Sequence, residues 1–87
     1  MFSVLIHPDV AKFLDKLSEE DRRRCVEALR RLKVDPFTPR PGADIKKLKG
    51  RDKTMYRLRV GDYRFEYFVE GNTVYVVEAF RRGRGYR

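Results

Sequence analysis

Residues 56–67 read Tyr56-Arg57-Leu58-Arg59-Val60-Gly61-Asp62-Tyr63-Arg64-Phe65-Glu66-Tyr67. Apolar and charged side chains alternate on both sides of Gly61-Asp62, the pattern of two strands with one buried and one wet face. Glycine in the first position of a two-residue loop predicts a type II′ hairpin. That hairpin sets Val60 opposite Tyr63, Arg59 opposite Arg64, Leu58 opposite Phe65 and Arg57 opposite Glu66. A second turn at Gly71-Asn72, flanked by Val69 and Val74, extends the hairpin into a three-stranded meander. Counted from that turn, Arg64, Glu66 and Phe68 share a face with Tyr75, Val77, Ala79 and Arg81. One face of the meander is then expected to gather Arg57, Arg59, Arg64 and Arg81. The other gathers Tyr56, Leu58, Val60, Phe65, Tyr67, Val69, Val74 and Val76. Glu78 is a misfit, because this register puts it on the apolar face. Either a helix arginine meets it at the rim, or the second turn differs by one residue.

The N-terminal half supplies the cover for that apolar face. Phe2–Ile6 is a short β-prone run. His7-Pro8-Asp9 opens a helix, with proline where its missing N–H does no harm, and Val10, Phe13, Leu14 and Leu17 recur at helical spacing across Asp9–Leu17. Ser18-Glu19-Glu20-Asp21 has the form of a capping box with an acidic first turn. A second helix therefore starts near Glu19, with Cys25 or Val26, Ala28, Leu29 and Leu32 inward. Three prolines between Pro36 and Pro41 make Asp35–Gly42 a loop. Ile45–Gly50 follows, with Ile45 and Leu48 as anchors. The expected fold is a single α+β domain over residues 1–87. A strand and an αα-hairpin pack on a mostly antiparallel twisted sheet, in the order β-α-α-β-β-β.

The net charge of +8 is unevenly spread. Residues 1–44 carry nine Lys/Arg and eight Asp/Glu, whereas residues 45–87 carry twelve and five. Such segregation points to a polyanionic partner, with nucleic acid ahead of an acidic protein. One cysteine, Cys25, forms no internal disulfide, and no apolar run reaches membrane-spanning length. A cytoplasmic protein without a membrane role is expected. Arg59 directly across from Arg64 is a like-charge pair, unfavourable by a few tenths to about one kcal/mol. Solvent screening relieves it on many exposed sheets. Here the neighbouring arginines favour a phosphate as the missing charge.

Other candidates point to structure. His7 is the only histidine and suits a cap, which rules out a two-histidine ribonuclease mechanism. Cys25 suits a core, and Glu66 and Glu78 suit salt bridges. Arg22, Arg23, Arg24, Arg30 and Arg31 read as solvated helix faces. No metal-ligand cluster or cofactor motif is present.

Lys47-Leu48-Lys49-Gly50, followed by Met55-Tyr56-Arg57-Leu58-Arg59-Val60-Gly61-Asp62-Tyr63-Arg64, closely resembles the hallmark of the RelE/ParE superfamily of type II toxins. The likeness runs on through Val74–Val77 and the arginines before a terminal tyrosine, and the form is most like archaeal RelE proteins. The resemblance implies a ribosome-dependent, metal-independent mRNA endonuclease acting in the A site. The RNA 2′-OH attacks the adjacent phosphate, leaving a 2′,3′-cyclic phosphate and a 5′-OH. It assigns Arg57, Arg59 and Arg64 to phosphate stabilisation and positioning. Arg81, with Arg82 as competitor, falls near the leaving oxygen, and Tyr86 falls on a base or the nucleophile. Lys46, Lys47, Lys49, Arg51, Lys53, Arg82 and Arg84 would contact RNA or the ribosome. The implied partners are a cognate RelB-like antitoxin, ribosomal RNA and mRNA, with the toxin monomeric when free and hetero-oligomeric with antitoxin. Arginine replaces the lysines common in the family at positions 57 and 59, which removes the usual general base. A ParE-like gyrase inhibitor and a non-catalytic RNA-binding module are the alternatives.

Overall fold

The computed structural model describes residues 1–49 and 52–83. Strand β1 (Ser3–Ile6) leads into helix α1 (Pro8–Asp15) and helix α2 (Glu19–Arg30), which tightens into a 3₁₀ turn over Arg31–Lys33. Four strands follow, β2 (Asp44–Leu48), β3 (Met55–Val60), β4 (Tyr63–Glu70) and β5 (Thr73–Arg81). They form one sheet in the order β1-β5-β4-β3-β2. Only β1 runs parallel to its neighbour, β5. The expected α+β class holds, with one strand more than expected. Asp44–Leu48 pairs antiparallel with β3, from Asp44↔Arg59 to Leu48↔Met55. Its three charged residues hide a strand signal, because only Ile45 is buried.

Both helix starts follow from local chemistry. His7 Nδ1 accepts the Asp9 N–H at 3.0 Å, with proline first in α1. Ser18 Oγ accepts the Asp21 N–H at 3.2 Å, satisfying one of the donors that a helix start leaves free. The helices bury Val10, Leu14, Cys25 and Leu29 against Leu58, Phe65, Tyr67, Val74 and Val76 on one sheet face. Two tyrosines enter this core with their hydroxyls satisfied. Tyr67 donates to the Pro36 carbonyl at 2.8 Å, and Tyr63 donates to Asp21 at 2.7 Å, pinning the β4 start to α2. The proline loop is tied by Asp35, whose carboxylate accepts the N–H groups of Phe37 and Thr38. The Phe37 N–H foremost, with the Thr38 side chain and N–H after it, holds the Asp35 carboxyl below the usual carboxylate range.

The first hairpin has the expected register, Val60↔Tyr63 through Arg57↔Glu66. Gly61 has φ 59° and no described non-glycine residue has positive φ, which fits type II′ with Asp62 second. The second hairpin also starts as expected, with Val69 opposite Val74. It then departs. The register shifts between Glu66 and Tyr67, so Glu66 faces Glu78 while Tyr67 faces Val76. Val77 is the extra residue of a β-bulge. The misfit at Glu78 is thus relieved by neither a rim arginine nor an altered turn. Burying that carboxylate unpaired against α1 costs several kcal/mol, far more than one lost ladder pairing. The bulge turns Glu78 outward and points small Ala79 inward, opposite Phe65.

The shift has a second consequence, which corrects the expected site. Arg81 lies opposite Tyr63 and on the helix side, not on the face of Arg57, Arg59 and Arg64. Phe80 takes the place on that face, opposite Arg64.

Cys25 is fully buried, and burial is the main reason that its thiol pKa is pushed up to about 11. An unfolded chain releases this proton near pH 9, so between about 9 and 11 the unfolded state binds fewer protons and stability falls as pH rises. The urea midpoint should drop across that window, and Cys25→Ala should flatten the drop. An unchanged slope in the variant would show that the thiol does not contribute.

Candidate nucleic-acid interface

The sheet face away from the helices is open. At one end it is apolar, with Phe68 and Tyr75 stacked 5.1 Å apart and the Lys53 ammonium 3.8 Å from the Phe68 ring centre. At the other end the alternation of β2, β3 and β4 brings Lys46, Arg57, Arg59 and Arg64 together around a hollow of ≈ 300 Å³.

Each arginine there is held differently. Arg57 gives two bonds to Glu66 Oε2, from Nε at 3.2 Å and Nη2 at 2.9 Å. Its guanidinium also lies 5.7 Å from the Phe80 ring centre. Arg59 meets Asp44 at 2.7 Å, in an exposed pair worth at most about 1 kcal/mol. The expected strain between Arg59 and Arg64 is therefore relieved within the protein, since Asp44 draws Arg59 away. Arg64 folds down, is only 8% exposed, and donates to the carbonyls of Gly61 (2.9 Å) and Tyr63 (3.2 Å). No carboxylate pairs with it among the described residues. Asp44 also lines the hollow but is engaged by Arg59, so an incoming anion could pair with Arg64 directly, and charge-assisted bonds in such a site are strong.

Beside this hollow, a cleft of ≈ 490 Å³ is lined by Arg57, Glu66, Glu78, Phe80 and, round the edge of β5, Phe13 and Arg81. The Arg81 guanidinium sits 5.4 Å from the Tyr63 ring centre. So Arg81 reaches the same cleft from the other side of the strand. Glu78 is exposed and makes no ion pair among the described residues.

The remaining expected residues scatter. Lys46 lies opposite Arg57 and joins the hollow, whereas Lys47 lies opposite Tyr56 on the helix side. Lys49 is exposed beyond β2. Lys53 reaches Glu70 at 4.0 Å, at the far end of the open face. Arg82 is exposed, with its N–H donating to the Asp62 carbonyl at 2.6 Å. Arg51, Arg84 and Tyr86 lie outside the described residues. Sequence reasoning missed Asp44 and Phe80. The first was hidden by an unrecognised strand and the second by the bulge. Among the described residues, no group of three or more His, Cys, Asp or Glu is placed to hold a metal ion. No described helix is long and apolar enough to cross a membrane.

These features define a small basic α+β protein whose open sheet face gathers Lys46, Arg57, Arg59 and Arg64 at one end. No protein-family model matches the chain. RelE1 of Methanocaldococcus jannaschii is 40% identical to it over 68 residues, which span 78% of this chain and 73% of that protein. The chain belongs to the RelE family of toxins. Its structure is similar to the crystal structure of the archaeal RelE–RelB complex from Pyrococcus horikoshii OT3, with a TM-score of 0.81 and 35% identity. The match covers 95% of this chain and 97% of that one. It is also similar to the RelB–RelE antitoxin–toxin complex from Methanococcus jannaschii, with a TM-score of 0.74, 27% identity and 94% of each chain covered.

Proposed function

We propose that the chain is the toxin of a RelE–RelB pair and cuts mRNA in the ribosomal A site. In this reading the RNA 2′-OH attacks the adjacent phosphate and the 5′-oxygen leaves, giving a 2′,3′-cyclic phosphate. The observation that carries it is Arg64, a buried cation with no carboxylate partner among the described residues, at the floor of a hollow that also holds Arg57 and Arg59. Those three guanidiniums suit the charge that builds on a phosphorane. A guanidinium does not accept a proton at neutral pH, so arginine in place of lysine at positions 57 and 59 leaves the base to be found. We assign that role to Glu78, since Glu66 in the same cleft is held by Arg57 whereas Glu78 is exposed there between Arg57 and Arg81. Arg81 approaches the leaving oxygen from the β5 edge. Tyr86 is assigned to base stacking or orientation of the nucleophile, by family likeness. A RelB-like antitoxin, presenting acidic and amphipathic segments to these surfaces, would hold the toxin inactive.

The test is incubation with programmed ribosomes and primer extension of the message. Wild type should cut within the A-site codon, and Arg81→Ala, Tyr86→Phe and Glu78→Gln should each slow single-turnover cleavage, Glu78→Gln by about 10²-fold or more. Intact mRNA with inhibited DNA gyrase would replace this reading with the ParE-like one. Binding to RNA without any cleavage would leave a non-catalytic module.

A further inference from the structure

Helix α2 and the 3₁₀ turn that continues it carry five arginines, and the fold sorts them. Arg24 and Arg31 lie two turns apart on one side. Together with Arg23 they line a cleft of ≈ 530 Å³ against Gly42, Asp44 and Arg59 at the β2–β3 edge. Arg30 faces away, toward a separate apolar groove that it shares with Lys33.

The cleft arginines are laid into its walls over glycine. A Cβ at Gly61 would stand 3.2 Å from Arg24 Nη2, and one at Gly42 would collide with the Arg31 guanidinium. Both glycines have positive φ, 59° and 85°, so backbone conformation and cation packing demand the same residue. Arg31 also donates to the Gly42 carbonyl at 3.1 Å. Arg24 has only a long contact to Asp21, at 3.5 Å, and Arg23 makes no hydrogen bond or ion pair among the described residues. The lining acids are Glu27 and Asp44, and Asp44 is already engaged by Arg59. Cations are therefore in surplus.

Arg59 lines both this cleft and the open-face hollow. The two share a wall, and a basic track runs from Arg64 round the sheet edge to Arg23. We infer that the α2 cleft is a second RNA-backbone site, which grips phosphodiesters of structural RNA while the open face holds the scissile phosphate. The inference rests on the ribosome-dependent reading above. An acidic helix is the poorer occupant, because the apolar lining is confined to Ala28 and Val60, too little to seat an amphipathic face. Regularly spaced phosphates need only the cations.

The experiment uses 70S ribosomes carrying a message with a 2′-O-methylated A-site codon, which binds but is not cut. Arg23→Gln/Arg24→Gln should raise Kd about 10-fold at 100 mM salt and lower the slope of log Kd against log salt by about 1.5. The charge-matched control, Arg30→Gln/Lys33→Gln, should change neither by as much as half. With saturating ribosomes and a cleavable message, the cleft variant should cut at the wild-type rate. If wild type binds ribosomes and the two double variants behave alike, the cleft is not a site and the inference falls alone. If the cleft variant loses affinity for the antitoxin instead, the cleft is a protein-docking surface and the inference is overturned. If wild type binds no ribosomes, the functional reading falls and takes the inference with it.

Discussion

Arg57→Ala should slow ribosome-dependent cleavage by about 10²–10³-fold, more than Arg59→Ala. The asymmetry comes from the partners. Arg59 pairs with exposed Asp44, which solvent screens once its cation is gone. Arg57 is half-buried and holds Glu66 through two bonds, with Glu78 directly opposite on the next strand. Removing it takes away one guanidinium and also leaves two facing carboxylates beside the place where a phosphorane would form. The loss is thus partly a repulsion newly exposed. Adding Glu66→Gln to Arg57→Ala should recover about tenfold, whereas Glu66→Gln alone should tighten RNA binding by freeing Arg57. A double variant no better than the single one would show that Glu66 does not face the substrate. Single-turnover rates on saturating ribosomes, with far-ultraviolet circular dichroism as the folding check, separate these outcomes.

The largest stability effect should come from Phe65→Ala, at about 3–5 kcal/mol. Phe65 is fully buried at the centre of the sheet, between Leu58 and Ala79, with Phe13 edge-on at 6.1 Å. A domain of 87 residues has roughly 4–13 kcal/mol in total, at about 0.05–0.15 kcal/mol per residue. The variant should therefore be unfolded or close to it at 37 °C, and it should lose near-ultraviolet signal in urea well before wild type. Tyr67→Phe is the contrast, since it removes only the hydroxyl bond to the Pro36 carbonyl and should cost about 1–2 kcal/mol. Equal losses in the two would mean that the cavity relaxes and that the proline-loop anchor carries the core.

Much of this was legible along the chain. The Gly61-Asp62 turn has two residues, so its hydrogen bonding fixes the pairing of its own strands, and the alternation then assigns faces. Helix starts at Pro8 and Glu19 were legible for the same reason, because caps act within one turn. Resemblance in the β3–β4 hairpin was enough to name the family. What depends on distant partners was not legible. Whether Asp44–Leu48 is a strand depends on β3 offering it a free edge. Whether Arg81 faces Arg57 depends on a bulge in β5, the strand against which α1 packs from the other end of the sequence. The arginines of α2 read as solvated because a helix pattern does not show what stands opposite. The tertiary fold sets Gly42, Asp44 and Arg59 against Arg23, Arg24 and Arg31, turning part of a charged helix face into a cleft. Local geometry and patterning are short-range and written in the chain, while like-charge clusters and bulges are settled by the energy of packing one element against another.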